Sequence, residues 1–333
     1  MRHITDESAA LSLLHSTDES RYVHHLSQDF DEQAQLLQGW NQDYSQLSAG
    51  VFNGFVSNVH LPEVSLFLEF TNQQLYQQGY LDQETAISIG VPMHTMQKGI
   101  FCGSPCEQQA LHIYSGRAGF EFVSPPNLTI GLIVISRQFL MQHLSEEYQE
   151  RLHSQWREAR ILRLSPQKYL NLVRFLRSVF VTLQTLPGLL HYANLVQETQ
   201  IMALQMVVDA LLGENDTVTT TAHYQHQCWQ VVAKTRKIVR LRQDDPVSVI
   251  ELCQCLAMTH RTLQYHFQRA IDKSPVVYLR TERLNAVRQM LKSTRSVTEA
   301  ATSWGFWHFG HFSQEYKKMF GESPSTTFKR FHC

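Results

Sequence analysis

Two side chains in the last third of the sequence, Arg261 and Gln264, are suited to reading the edges of nucleic-acid bases. A guanidinium donates two hydrogen bonds to a guanine, and a carboxamide pairs in the same bidentate way with an adenine. Both residues lie in a segment where apolar residues, at Leu263, Phe267 and Ile271, recur every three to four positions. That spacing predicts an amphipathic helix that buries one face and presents Arg261 and Gln264 on the other.

The segment that carries these residues occurs twice. Val249–Pro275 and Val297–Pro324 align with a shift of 48 residues in their first halves and 49 in their second halves. A Ser-x-x-Glu sequence begins one residue before each copy, at Ser248 and at Ser296. This sequence is typical of a helix capping box. A repeat of this size indicates a duplicated helix–turn–helix unit, in which the second helix enters the DNA major groove.

The outer faces of the two second helices supply the candidate DNA contacts. Phe309 and the flat surface at Gly310 suit apolar contact with thymine methyl groups, whereas hydroxyls, Lys and Arg suit phosphates. Trp304, Phe306 and Trp307 are interpreted as core and turn packing. The residues predicted to contact bases are Arg261, Gln264, Tyr265, His308, Phe309, Gly310, Ser313 and Gln314. Those predicted to contact phosphates are Thr259, Thr262, Arg269, Ser296, Lys317 and Lys318.

The last hundred or so residues resemble the DNA-binding domain of the AraC/XylS transcription regulators, which has two helix-turn-helix units joined by a long helix. The resemblance rests on motifs at matching spacing, namely Leu256-Ala257-Met258-Thr259, Arg261-Thr262-Leu263-Gln264, Ser274-Pro275, Tyr278-Leu279-Arg280, Glu299-Ala300-Ala301, Gly305-Phe306, Lys317-Lys318, Phe320-Gly321 and Ser323-Pro324-Ser325. It implies double-stranded DNA and RNA polymerase as partners, without a cofactor.

Three positions depart from the commonest pattern of that family. Many members have Arg at the positions of Tyr265 and Gln314, and Gly at the position of Asp272. The departures bear on which bases are preferred rather than on how the domain docks. Within the family, Trp304-Gly305-Phe306-Trp307-His308 looks most like the ethanolamine-utilisation regulators, which are activators that respond to ethanolamine and adenosylcobalamin.

Composition and charge fit a two-domain regulator. The chain has 333 residues, 43% of them hydrophobic, and six cysteines, too few for a disulfide framework in a chain of this length. From His226 onward there are 17 basic and 8 acidic residues, whereas the preceding part has 12 and 22. The basic part coincides with the repeat, so this part is predicted to bind the polyanion, DNA. We find no signal peptide or membrane span, and we expect a cytoplasmic protein.

The N-terminal half predicts a small β-barrel or sandwich that is cupin-like, within a multidomain α+β chain. Alternating apolar and polar residues predict strands over Val51–Leu61, Glu63–Phe70, Ala86–Pro92, Ala110–Tyr114, Arg117–Val123 and Leu128–Ser136. Met1 to about Asp43 is interpreted as a loosely ordered lead-in with some helix and without chemistry. The interior of such a barrel either holds a small-molecule effector or is filled by its own side chains.

Two apolar helices are predicted after the strands, from Pro166 onward and over Ala193–Leu212. The second is apolar around much of its circumference, which favours burial on several sides and a homodimer. The Thr-rich stretch before His226 is typical of a linker. The predicted domains are therefore residues 1–213 for effector sensing and dimerisation, 214–225 as linker, and 226–333, all helical, for DNA binding.

Two alternatives stay open at this point. The first is an enzyme fused to the same DNA-binding domain, but Cys102 and Cys106 alone cannot supply a four-cysteine zinc site, and His60, His94 and His112 are widely separated. No phosphate-binding glycine loop or nucleophile elbow occurs, so no catalytic residue is assigned. The second alternative is a regulator whose N-terminal domain binds no ligand and only dimerises or contacts RNA polymerase.

Overall fold

Residues 21–81, 86–95, 97–106, 109–114, 119–155, 159–211, 222–243 and 245–332 are described by the computed structural model. The N-terminal domain contains two antiparallel sheets, and the C-terminal domain is helical. Within the described ranges, no helix is both long enough and apolar enough to cross a membrane. The predicted linker, 214–225, lies mostly outside those ranges, and a helix begins at Ala222 within it.

The two sheets face each other as a sandwich. The strands are β1 Tyr22–Ser27, β2 Trp40–Gln46, β3 Gly54–His60, β4 Val64–Thr71, β5 Leu75–Leu81, β6 Ala86–His94, β7 Gly99–Phe101, β8 Ser104–Cys106, β9 Ala110–Tyr114, β10 Phe120–Ser124, β11 Leu128–Ser136 and β12 Arg160–Arg163. One sheet has the order β1-β3-β4-β11-β6-β9-β12, and the other β2-β5-β10-β7-β8. Aromatic and aliphatic side chains, among them Trp40, Phe101 and Phe122, fill the space between them.

The predicted strands β9 and β11 are confirmed over their full lengths, and the other four predicted strands are found with shifted ends. The prediction of a loosely ordered lead-in with some helix to about Asp43 is confirmed for a short helix, α1 (Phe30–Leu36), but it missed the strands β1 and β2, and residues 1–20 of the lead-in lie outside the described residues. Strand β2 was missed because polar residues, Gln42, Ser45 and Gln46, are buried along it. Buried polar side chains satisfied by hydrogen bonds do not give an apolar alternation.

Strand β4 carries a carboxyl group, Glu69, in the interior of the sandwich. Gln33 Nε2 and Tyr44 Oη donate hydrogen bonds to Glu69 Oε1 over 2.9 and 3.0 Å. Burial raises the pKa of Glu69 from 4.5 to about 7. As the pH rises, the unfolded chain loses this proton at a lower pH than the folded chain does. The free energy of unfolding therefore falls as the pH rises from 4.5 to 7.

Replacement of Glu69 by glutamine is expected to remove that pH dependence. At pH values above 7 the variant should be more stable than the wild type by an amount on the order of 3 kcal/mol, since the buried carboxylate no longer has to ionise. Urea denaturation of both proteins at several pH values measures the difference. If the difference in unfolding free energy between wild type and E69Q does not grow with pH, Glu69 is not the group responsible.

Helices cover the outside of the larger sheet. After α2 (Arg137–Gln142) and α3 (Glu146–Gln155), helix α4 (Pro166–Thr185) begins with Ser165 as its cap and proline in the first turn, as predicted. Helix α5 (Ala193–Leu211) packs one face against α4 and the sheet. On its outer face, Leu195 and Met202 are exposed in the part of the chain that the structure describes.

The C-terminal domain consists of seven helices in the described residues. They are α6 Ala222–Leu241, α7 Val249–Cys255, α8 His260–Ile271, α9 Pro275–Met290, α10 Val297–Ser303, α11 Phe309–Phe320 and α12 Pro324–His332. The predicted repeat is confirmed, since α7–α8 and α10–α11 are both helix–turn–helix units joined by α9. The capping box at Ser248 is complete, whereas at Ser296 only the serine accepts, because Glu299 bonds Thr294 and the Arg295 amide instead.

The two turns have different residues at one equivalent left-handed position, which gives a matched pair of variants. Ala257 adopts φ +50°, in the left-handed region, and the equivalent Gly305 adopts φ +77°. A side chain in that region costs about 1–2 kcal/mol, part of which is offset because glycine loses more entropy on folding. Ala257→Gly is expected to stabilise the chain by roughly 0.5–1 kcal/mol. Gly305→Ala should destabilise it, since the new Cβ meets Pro246 Cγ at 2.8 Å.

Chemical denaturation of the two variants and the wild type tests this pair. The account predicts shifts of opposite sign in the unfolding midpoint. Shifts of the same sign would mean that the turn conformation does not set the stability of the two units.

Candidate nucleic-acid interface

The first unit presents its predicted base-contacting residues to solvent. Leu263 and Phe267 of α8 are fully buried, and this fixes which face of the helix points outward. Arg261 and Tyr265 are exposed on the opposite face, and Gln264 is partly exposed between them. No described residue of the N-terminal domain forms a hydrogen bond or ion pair with Arg261 or Gln264, so both side chains are available to a ligand.

The second unit has a different surface. Helix α11 begins at Phe309, which is 43% exposed, and a Cβ added at Gly310 would meet no atom within 4 Å. His308 precedes the helix without capping it through its side chain. Gln314 is exposed and Ser313 partly so on the same helix. The surface is therefore flat and apolar at its start, where the first unit offers Arg261.

One interpretation from the sequence is wrong. Trp304 and Phe306 are buried at 7% exposure, as expected for core residues, but Trp307 is 70% exposed. It lies directly before His308, at the entrance to α11. Trp307 is therefore a surface aromatic residue beside the predicted base contacts, and it was missed because its two aromatic neighbours are both core residues.

The residues predicted to contact phosphates occupy four kinds of position. Thr259 and Ser296 accept hydrogen bonds from the amides of Thr262 and Glu299, so their hydroxyl oxygens cap helices α8 and α10. Thr262 is exposed in the first turn of α8. Lys317 and Lys318 are exposed in the last turn of α11. Arg269, near the end of α8, instead lines a pocket that faces the N-terminal domain.

The helix that joins the two units forms buried ion pairs with the N-terminal domain. Arg288 of α9 donates to Asp29 Oδ2 over 2.9 Å and to Glu322 Oε1 over 2.7 Å, and Lys292 Nζ lies 2.7 Å from Asp29 Oδ1. Asp29 and Arg288 have side-chain exposures of 1% and 3%. Burial alone would raise the pKa of Asp29, but the cations of Lys292 and Arg288 lower it.

A second buried cluster lies at the same interface. Arg236 of α6 donates to Asp43 Oδ2 over 2.7 Å and lies 3.5 Å from Glu282 of α9. Burial opposes the charge of Arg236, but the carboxylates of Glu282 and Asp43 raise its pKa. The side chain of Asn285 bonds the backbone of Gln46 at both its amide and its carbonyl, over 2.8 and 2.9 Å. An edge strand of the sandwich is thereby covered by the linking helix.

These contacts assign a second role to the uneven charge distribution. Cations of the basic C-terminal part at Arg236, Arg288 and Lys292 pair with carboxylates of the acidic N-terminal part. Apolar residues of both domains, such as Phe30 and Tyr76 with Trp229 and Phe320, also form one continuous core. The basic charge of the C-terminal part was interpreted from the sequence as serving DNA binding alone. Part of this charge instead forms ion pairs that hold the two domains together.

No group of three or more His, Cys, Asp or Glu suited to a metal ion occurs among the residues that the structure describes. None of the five cysteines in those ranges forms a disulfide.

Comparison with protein families gives a match in the C-terminal region. A family described as a helix-turn-helix domain matches residues 252–330. XylDLEGF operon transcriptional activator 3 of Pseudomonas putida is 33% identical over 101 residues, which are 28% of this chain and 30% of that protein. XylDLEGF operon transcriptional activator 2 of the same organism is 35% identical over 85 residues, 24% of this chain and 54% of that protein. The match thus spans about half or less of each relative.

The solved structures that align with this chain cover either about a third of it or most of it. A transcriptional regulator of Chromobacterium violaceum with an AraC-type DNA-binding domain aligns with 31% of this chain and 92% of its own, at 22% identity and a TM-score of 0.30. The AraC-like transcriptional activator CuxR aligns with 85% of this chain and all of its own, at 10% identity and a TM-score of 0.43. ToxT of Vibrio cholerae aligns with 87% of this chain at 11% identity and a TM-score of 0.31.

Proposed function

We propose that the chain is a sequence-specific transcription activator of the AraC/XylS type, under the control of a small molecule, and that residues 252–330, which match a helix-turn-helix family, form its DNA-binding domain. Helices α8 and α11 would enter two adjacent segments of the major groove. The linking helix α9 spans 16 residues, or about 24 Å, which is of the order needed to hold two helices one turn of B-DNA apart.

The observation that supports this proposal is that one side of the C-terminal domain is open to solvent while the other is bound to the N-terminal domain. The faces with Arg261 and Phe309 are open to solvent, whereas α9 is fixed by buried ion pairs at Arg288 and Arg236. Two reading helices on a rigid support can act together on one piece of DNA, because their separation does not have to be fixed at the moment of binding. RNA polymerase is the further partner that an activator requires.

A homodimer would double the number of recognised segments. The uncovered face of α5, with Leu195 and Met202, together with Tyr192 just before it, supports that proposal, since exposed apolar patches commonly mark protein contacts. Ethanolamine and adenosylcobalamin are the effectors to test first, on the strength of Trp304-Gly305-Phe306-Trp307-His308. A ligand-free N-terminal domain is the competing proposal, supported by the aromatic filling of the sandwich.

Transcription in vitro tests the proposal as a whole. The full chain is incubated with fragments of genomic DNA, the retained fragments are cloned ahead of a reporter transcript, and RNA polymerase is added with and without each effector. We expect the retained promoters to give more transcript when the chain is present. Retention that is independent of sequence, or bound promoters that give unchanged or lower transcript levels, would contradict the proposed activator.

A further inference from the structure

The last turn of the second reading helix, α11, is bonded to the sandwich. The carbonyl oxygen of Met319 accepts hydrogen bonds from the amide of Gly50, over 2.9 Å, and from Gln46 Nε2, over 3.0 Å. Carbonyl groups in the last turn of a helix have no partner within the helix. Gln46 ends β2 and Gly50 lies in the β2–β3 loop (residues 47–53), so the N-terminal domain supplies the missing donors.

Packing holds the same end of α11. A Cβ added at Gly321, which ends the helix with φ +75°, would lie 2.2 Å from Val51 Cγ2 of the β2–β3 loop. The rings of Phe320 and of Phe30 in α1 have centroids 6.2 Å apart. The end of α11 is therefore in contact with two segments of the N-terminal domain, the β2–β3 loop and α1.

The β2–β3 loop is itself held in one conformation. Gln73 Nε2 donates to the carbonyl of Val51 over 2.9 Å, and Ser48 Oγ donates to Gln73 Oε1 over 2.6 Å. Gln46 is fully buried, and its side-chain amide also donates to the carbonyls of Ser48 and Gly50, over 2.8 Å each. The two groups that donate to the end of α11 are therefore fixed by contacts within the sandwich.

The end of the first reading helix, α8, is bonded differently. The amide of Asp272 donates to the carbonyl of Gln268 over 3.2 Å, and the Gln268 side chain donates to the Asp272 carboxylate. In the ranges that the structure covers, no residue of the sandwich forms a hydrogen bond with residues 268–272. Among these residues, hydrogen bonds from the sandwich fix the end of α11 but not the end of α8.

The reading surface of α11 lies at the opposite end from these contacts. The helix has 12 residues, or about 18 Å, so a tilt of about 10° around Met319 would move Phe309 by about 3 Å. Binding sites need their side chains held to within about 0.5 Å and 10–20°. The direction of α11 at its fixed end is therefore sufficient to decide which bases its other end can contact.

We propose that the sandwich positions the second reading helix, with Gln46 and the β2–β3 loop setting the direction in which Phe309 and Gln314 face DNA. This role rests on the proposed DNA-binding function. Gln46 is buried and does not reach DNA, so it is a positioning residue that acts through Met319. The base preference of the second unit is then set in part by the N-terminal domain, whereas the preference of the first unit is not.

Hydrogen exchange of the full chain tests the contact without DNA. Gln46→Met keeps the length of the side chain and removes its donor, and Val51→Ala trims the contact with Gly321 at a position that is 51% exposed. We expect amides of α11 to exchange at least about threefold faster in Q46M, and less so in V51A, with α8 unchanged. Gln78→Met is the matched control, since Gln78 bonds Arg236 of α6 at the same domain interface.

Selection of binding sites from random DNA by the same full-length variants measures the consequence for base reading. In Q46M and V51A we expect discrimination between bases in the second block to fall by about threefold or more, while the first block is unchanged. Q78M should select the same two blocks as the wild type. A purely structural role of Gln46 would instead weaken both blocks together, because both units belong to one domain.

The outcomes separate this proposal from the function it rests on. If exchange in α11 is unchanged in both variants, or in V51A where Q46M does not fold, the loop does not hold the helix and the proposal fails. If exchange rises in α11 alone but the wild type selects no sequence, the positioning of α11 stands and the proposed DNA-binding function fails. Equal loss of discrimination in both blocks, or unchanged discrimination with faster exchange, would overturn the role in base reading.

Discussion

Replacement of Asp29 by alanine is expected to lower the free energy of unfolding by about 3–5 kcal/mol, because it leaves buried cations without their partner. Arg288 would keep Glu322 and Lys292 would keep Asp31, but both cations lose the carboxylate that joins them. Asp29 also caps α1 by accepting from the amides of Asp31 and Glu32, over 3.0 and 3.1 Å. Urea denaturation of the full chain measures the loss.

A matched variant separates the charge from the cap. Asp29→Asn keeps an oxygen that can cap α1 but removes the negative charge. It should therefore be only slightly more stable than D29A. Lys168→Ala is the control at an exposed pair with Asp209, and it should cost at most about 1 kcal/mol. If D29A is no more destabilised than K168A, the buried cluster does not hold the domains together.

The same cluster has a defined dependence on pH. The pKa of Asp29 is lower in the folded chain than its ordinary value of 3.8, because of the Lys292 and Arg288 cations. Its contribution is therefore fully present above the ordinary pKa and is lost as the pH falls through the folded pKa. The opposite holds for Asp31, where burial raises the pKa to about 6, so its contribution to stability falls as the pH rises from 3.8 to 6.

Replacement of Arg261 by alanine is expected to lower specific DNA affinity by about 1–3 kcal/mol and to relax the preference at one base pair. Arg261 is exposed on α8 and no described residue forms a hydrogen bond or ion pair with it, so the variant should fold as the wild type does. Gln264→Ala should act in the same way at a neighbouring base pair. Fluorescence anisotropy with a selected site and its single-base variants measures both effects.

A phosphate contact should behave differently from a base contact. Lys318→Ala is expected to weaken binding to all DNA sequences about equally and to reduce the dependence of affinity on salt by about one phosphate contact. It is the control for Arg261, since both residues are exposed cations of the same domain. If R261A also weakens all sequences equally, Arg261 contacts the backbone, and the assignment of α8 as a base-reading helix loses its main support.

The two helix–turn–helix units could be predicted from the sequence because their signals are local. Capping serines, apolar residues three to four apart and a small residue at each turn all lie within about 25 residues, as at Ser248 and Ala257. Once the buried apolar residues of a helix were identified, the residues on its exposed face could be predicted as well. Trp307 was misread because its exposure depends on where the chain turns after Phe306, not on its own hydrophobicity.

The contacts between the domains could not be predicted because they join distant residues. Asp29 and Arg288 are separated by 259 positions, and Gln46 and Asn285 by 239. Nothing near Asp29 in the sequence indicates that its carboxylate meets a buried arginine. Strand β2 was missed partly for the same reason, since its buried Ser45 and Gln46 are bonded by Arg236 and Asn285 of the other domain. The charge difference between the two halves was the only trace of this interface in the sequence.

The most direct test of the central claim is selection of binding sites from random DNA by the full chain at a fixed salt concentration. The full chain is required because residues 226–333 alone would expose Arg236, Glu282 and Arg288, which are buried against or beside the N-terminal domain. If both units read bases, the selected DNA will contain two conserved blocks centred about 10 base pairs, one helical turn, apart. A single block, or no enrichment, would contradict the account of α8 and α11 as paired reading helices.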